Sequence, residues 1–133
     1  MRCRLVGVVS VGDGRWEIYV GGAAGAHIRK GDLLATVTGV EEVLILAGRF
    51  IQHYRENAQW LERTYAWVPR IGLEELQSVL VEDRDGIVAG LDERMQTAVE
   101  GYVDPWQDRA APKSPAEFSP SLPLLPLPQV PVR

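Results

Sequence analysis

The sequence predicts an α+β domain: a small mixed or antiparallel sheet packed against one long helix and two shorter helices, with a disordered proline-rich tail. Three observations carry this reading. The first forty residues hold short β-branched apolar runs separated by glycine-containing turns. Residues 39–64 repeat apolar side chains at helical spacing. From Ala110 the composition changes, with seven of the nine prolines falling in residues 112–133. A length of 133 residues allows one modest domain. It is assigned to residues 1–107, with 108–133 as the tail.

In chain order, Leu5–Val11 is short, apolar and β-branched, as a buried strand is. Gly12-Asp13-Gly14 is a turn signal, and Arg15–Val20 is a second strand, so residues 4–20 form a hairpin. Lys30-Gly31-Asp32 turns the chain into a third strand at Leu33–Val37. Thr38 and Glu41 have the spacing of a capping box, in which each side chain satisfies the other's exposed amide. Val43, Leu46, Ala47, Phe50, Ile51, Tyr54, Ala58 and Leu61 then mark the apolar stripe of a helix over 39–64. Val68-Pro69 predicts an extended link, because proline disfavours helix in the preceding residue. Leu73–Asp83 and Gly86–Tyr102 are two further helices, broken near Asp83-Arg84-Asp85-Gly86, and Asp104-Pro105-Trp106 is a terminal anchor. The tail, ending SPSLPLLPLPQVPVR, lacks backbone donors and is expected to be extended and disordered.

Composition excludes several function classes. One cysteine, Cys3, permits no internal disulfide, which places the chain in the reducing cytoplasm. One Cys with two His cannot build a zinc site or an iron–sulfur cluster, so no metal ligand is expected. No run approaches the ~18 apolar residues of a membrane span, and MRCRLVGVVSV is not a signal peptide. The net charge of −4 is unevenly placed: residues 1–70 carry +2 and residues 71–106 carry −7. A nucleic-acid binder would show a denser basic stripe. The first half suits a local site for a carboxylate-rich small molecule.

The candidate site lies in WEIYVGGAAGAHIRKGDLLATVT, residues 16–38. Gly21–Ala26 does not open into a helix, so it is no dinucleotide fingerprint, and the Walker pattern is absent. Two readings stay open. A tight turn needs small residues. Alternatively the backbone of Gly21, Gly22, Ala23 and Gly25, with Arg29 and Lys30, cradles the carboxylates of a large planar ligand. His27 reads as a loop histidine and Cys3 as inert. The pairs Glu41/Glu42 and Glu74/Glu75 suit helix N-terminal turns. Trp60, Tyr65 and Trp67 read as core or interface aromatics. No catalytic residue is assigned, since no Ser-His-Asp or Cys-His set can be assembled. Ile28–Val37 is similar to the hammerhead turn of biotinyl and lipoyl carrier domains, an alternative binding-module reading, although those are wholly β. Pro123-Leu-Leu-Pro126 gives a second non-catalytic alternative, a PxxP ligand.

Taken together, VGVVSVGDGRWEIYVGGAAG, RKGDLLATV, EEVLILAGRFIQHYRENAQWLERTY, WVPRIGLEEL and YVDPWQ resemble, in order from about residue 5 to 107, the C-terminal end of the NAD(P)H-dependent assimilatory nitrite reductase large subunit. The resemblance lies in the siroheme and 4Fe-4S domain shared with sulfite reductases. It implies half of a siroheme-domain fold, in which Gly21, Gly22 and the residues after them approach the macrocycle. Siroheme, an octacarboxylate, would then suit the backbone donors with Arg29 and Lys30. It also implies nitrite reduction to ammonium, with electrons passing from NAD(P)H through FAD and the cluster to siroheme. The family's cluster cysteines are expected just upstream of residue 1, and the FAD and NAD(P)H domains lie elsewhere. The chain is therefore expected to be a C-terminal fragment or a separately encoded remnant with a proline-rich extension, inactive alone, and the DNA upstream of codon 1 is the most informative observation. The partners implied are the upstream part of the large subunit and its small Rieske-type subunit, without nucleic acid or membrane. Sulfite reductases often carry Asn where this chain has Ala23.

Overall fold

The computed structural model describes residues 5–26, 28–104 and 107. The tail, Cys3, His27, and Pro105 and Trp106 of the expected anchor lie outside the described residues. The chain divides into residues 1–100 and 101–133, and the architecture below is that of the first unit.

Five strands precede four helices, an α+β order. β1 (Val6–Gly12), β2 (Arg15–Val20) and β5 (Asp32–Thr38) form a sheet in the order β1-β2-β5, with both pairings antiparallel. The hairpin turn is Asp13-Gly14, both at positive φ (53° and 71°), the two-residue geometry that matches strand twist. β3 (Ala23–Ala24) and β4 (Ile28–Arg29) are a two-residue ribbon rising from the small-residue loop.

α1 (Val40–Asn57) lays Val43, Leu46 and Phe50 onto Ile18, Val20 and Leu34 of the sheet. α2 (Thr64–Ile71) contributes Trp67 and Val68, and α3 (Leu73–Leu80) contributes Leu76, Val79 and Leu80. α4 (Val88–Glu100) packs on α1, where Arg49 grips Asp92 through its Nε and Nη2 donors at 2.7–3.1 Å.

The structure corrects three expectations. The capping box is not formed: Gly39 is the N-cap with φ 85°, and the Thr38 amide donates instead to Glu42 Oε2 at 3.0 Å. Thr38 cannot cap because it still pairs with Arg15 in the sheet. The long helix ends at Asn57 rather than 64. Leu61, counted in its stripe, is 78% exposed at φ 60°. Finally, the expected extended link contains a third short helix, α2, with Pro69 inside it. Proline removes one helical amide there, but burying Trp67 and Val68 completely outweighs the local preference.

The break after α1 is held by one carboxylate. Glu62 accepts a bidentate fork from Arg70 at 2.6 and 2.7 Å and the Gln59 amide at 2.9 Å. The Tyr54 hydroxyl also donates to the Glu62 carbonyl. Arg70, and then the Gln59 amide, hold the Glu62 carboxyl down at about 2. A depressed folded-state value means the contribution is complete above the ordinary 4.5 and is lost as pH falls towards about 2. Denaturant midpoints measured across that window should fall more steeply for the parent than for Glu62→Gln. Glu56, Glu75 and Asp85, also held low by arginines, act in both proteins, so the difference isolates Glu62. Parallel curves would contradict the assignment.

Candidate functional site

β2 delivers the chain into the fold's interior and then stops. Val20, Gly21 and Gly22 are buried, whereas Ala24, Gly25 and Ala26 are exposed. Gly21 sits at φ +70°, and a Cβ there would lie 2.8 Å from Val68 Cβ and 3.0 Å from Arg29 Nη1. Both a left-handed backbone and a close approach thus demand glycine.

Arg29 faces inward. Its Nη1 donates to the Gly21 carbonyl at 2.7 Å, and its Nη2 meets Asp32 Oδ2 at 2.5 Å. The fork therefore closes the loop on itself, bridging its first residue to the start of β5. Lys30 is exposed beside it. Among the sequence-predicted residues, Gly22, Ala23 and Gly25 line a groove of about 580 Å³, while Gly21, Arg29 and Lys30 do not.

The opposite wall of that groove comes from the helices: Tyr54 of α1, then Arg63, Thr64 and Tyr65 at the start of α2. The main chain of Arg63 is the N-cap of α2, with its carbonyl accepting from Ala66 and Trp67 at 2.9 Å. Its exposed guanidinium forms no bond with the described residues. Sequence reasoning missed Arg63 because it placed the residue on the outer face of an uninterrupted helix. The Arg70–Glu62 pair lies one residue earlier, in the turn that follows the end of α1.

Chemically, the groove combines the 22–26 main chain, which carries no side chain beyond methyl, with Leu5, the side chains of Tyr54, Thr64 and Tyr65, and one cation, Arg63. Its described lining holds no carboxylate, thiol or imidazole. Among the described residues, no group of three or more His, Cys, Asp or Glu side chains could hold a metal ion. A 4Fe-4S cluster therefore does not fit these residues. No described helix is long and apolar enough to cross a membrane.

Comparison with known proteins gives this surface its setting. Residues 4–87 match the family described as the nitrite and sulphite reductase 4Fe-4S domain, a span that includes the whole loop and Arg63. A nitrite reductase (NAD(P)H) of Bacillus subtilis is 48% identical over 103 residues, covering 77% of this chain and 12% of that protein. The nitrite reductase (NADH) large subunit of Escherichia coli is 31% identical over 105 residues, again 77% of this chain and 12% of the relative. An assimilatory-type sulfite reductase of Nitratidesulfovibrio vulgaris is 33% identical over 78 residues, 59% of this chain and 35% of that protein. The chain thus spans about an eighth of the nitrite reductases it matches. No solved structure matches it significantly. With the family match covering most of the described fold, the chain belongs to the nitrite and sulphite reductase 4Fe-4S domain family.

Proposed function

We propose that this chain supplies one wall of the siroheme pocket of a cytoplasmic assimilatory nitrite reductase, which reduces nitrite to ammonium with electrons from NAD(P)H. The single observation that carries the reading is the groove that faces the bare 22–26 main chain with an unpaired Arg63, in a chain of this family. Both groups suit a macrocycle edged with carboxylates. Gly22, Ala23 and Gly25 allow a flat ring to approach without steric conflict. Arg63 supplies a charge-assisted hydrogen bond to a carboxylate, and exposed Lys30 is a second cation for one that projects further. Gly21 and Arg29 hold the loop in shape from beneath.

When bound, siroheme supplies the redox chemistry, and the protein's share is binding, orientation and charge. The cluster, the flavin and the nicotinamide belong, on this reading, to the rest of the large subunit, with a small Rieske-type subunit as a further partner. The groove is open, so this chain covers one side of the ring only.

The test uses iron(III) uroporphyrin, an octacarboxylate tetrapyrrole, titrated into the chain and followed by its absorbance. Arg63→Ala should weaken binding about 10- to 150-fold, the equivalent of about 1.5–3 kcal/mol for one charged hydrogen bond. Its thermal midpoint should match the parent's, because the guanidinium holds nothing in the fold. Absence of binding by the parent, or equal affinity in the variant, would remove this groove from the cofactor site.

A further inference from the structure

A second concave surface lies on the other helical face. α1 and α4 diverge above a close contact, where a Cβ on Gly48 would come within 3.3 Å of Met95 Cγ. The groove between them measures about 820 Å³ and is floored by Leu44, Ile45, Ile51, Met95 and Val99. Leu44 is 62% exposed, Ile45 47% and Val99 55%. Three large aliphatic side chains in one concave strip exceed the scattered exposure normal for a soluble surface. Its lining runs from Glu41 to Ile51 on α1 and from Asp92 to Val99 on α4, about 10–15 Å of helix at about 1.5 Å per residue.

The rim decides what fits. Glu41 on α1 and Glu93 on α4 line the groove together with the apolar floor, and neither forms an ion pair with the described residues. Asp92 is already neutralised by Arg49 at 2.7 Å. Among the described residues no Lys or Arg lines the groove, and residues 71–106 carry a net charge of −7. A second copy of this chain would bring acidic rims against acidic rims, a repulsive arrangement. An apolar strip with carboxylates in its lining is instead complementary to a helix with one aliphatic face and cationic flanks. We propose that the α1/α4 groove docks a basic amphipathic helix of a partner polypeptide. Leu44, Ile45 and Val99 take its apolar face, and Glu41 and Glu93 take its flanking Lys or Arg. This inference is independent of the cofactor reading, since the two grooves share no residue.

The probe is a synthetic helix of about 14 residues, long enough to span the lined stretch, with leucines on one face and lysines flanking them. Fluorescence anisotropy against the purified chain should show saturable binding that weakens with added salt. A peptide of the same composition but scrambled periodicity should bind at least tenfold more weakly. Leu44→Glu should lose at least tenfold in affinity while keeping the parent's thermal midpoint, because Leu44 is exposed. The double variant Glu41→Lys/Glu93→Lys should prefer a glutamate-flanked version of the peptide. Equal binding of the scrambled peptide would reduce the effect to bulk charge and overturn the proposal, as would an unchanged Leu44→Glu. Self-association that Leu44→Glu abolishes would assign the groove to a second copy and overturn it as well.

Discussion

Trp67→Ala should lower the stability of the domain by about 3–5 kcal/mol, a large part of the about 5–15 kcal/mol that holds a typical domain folded. Trp67 is the largest fully buried side chain among the described residues, and it joins α2 to α1. Phe50, His53 and Tyr54 of α1 meet its ring edge-on, with centroids 5.7, 5.6 and 5.3 Å away. Truncation would remove these contacts together and leave a void between α1 and α2 that the sheet behind cannot fill. The indole N–H adds a second, opposing effect. It is buried and has no hydrogen-bond partner among the described residues, a state that costs about 1–3 kcal/mol. Trp67→Phe keeps one aromatic ring in place and removes the orphaned donor, so it should cost less than half as much as Trp67→Ala. Urea denaturation of both variants checks this. Equal losses would mean that the indole N–H is satisfied, and a small loss for Trp67→Ala would mean that α2 is not anchored through this residue.

What was legible in the sequence followed from periodicity and turn chemistry. Asp13-Gly14 announces its hairpin because both positions must adopt positive φ, which Gly and Asp tolerate better than most residues. The Val43, Leu46, Phe50 stripe announces α1 because those side chains do reach the core. The end of α1 was hidden because Ala58 and Leu61 continue the stripe by chance. What stops the helix is a distant partner, Arg70, acting through Glu62. α2 was hidden for a related reason: Pro69 speaks locally against helix, whereas burial of Trp67 and Val68 is a tertiary gain that no local rule contains.

The site divides along the same line. Its small-residue wall was visible, since six consecutive Gly and Ala residues after a strand are unusual at any turn. Its cationic wall was not, because Arg63 faces the loop only once α1 has ended. Arg29 was visible as a cation near the loop. Its direction was not, because Gly21 becomes its acceptor only after β3 and β4 pair and fold the chain back by eight residues.

Gly21→Ala is the sharpest separation of scaffold from site. The added Cβ would sit 2.8 Å from Val68 Cβ and 2.9 Å from Val68 Cγ2, on a backbone at φ +70°. The left-handed conformation costs an L-residue about 1–2 kcal/mol, and forcing extra volume into a packed core costs about 1–3 kcal/mol. The expected loss is therefore about 2–5 kcal/mol. The clash also displaces Arg29 Nη1, only 3.0 Å from the new atom, and so opens the bond that closes the loop. Val68→Ala would remove one of the two clashing carbons, so combining it with Gly21→Ala should cost less than the two single losses added together. Gly25→Ala is the control: its Cβ would have nothing within 4 Å, and its stability should stay within about 0.5 kcal/mol of the parent. Chemical denaturation of the parent and the four variants decides the matter. If Gly21→Ala and Gly25→Ala share one midpoint, the loop has room that this geometry denies it. If only Gly21→Ala falls, the first glycine serves the fold, and any ligand contact belongs to the main chain beyond it.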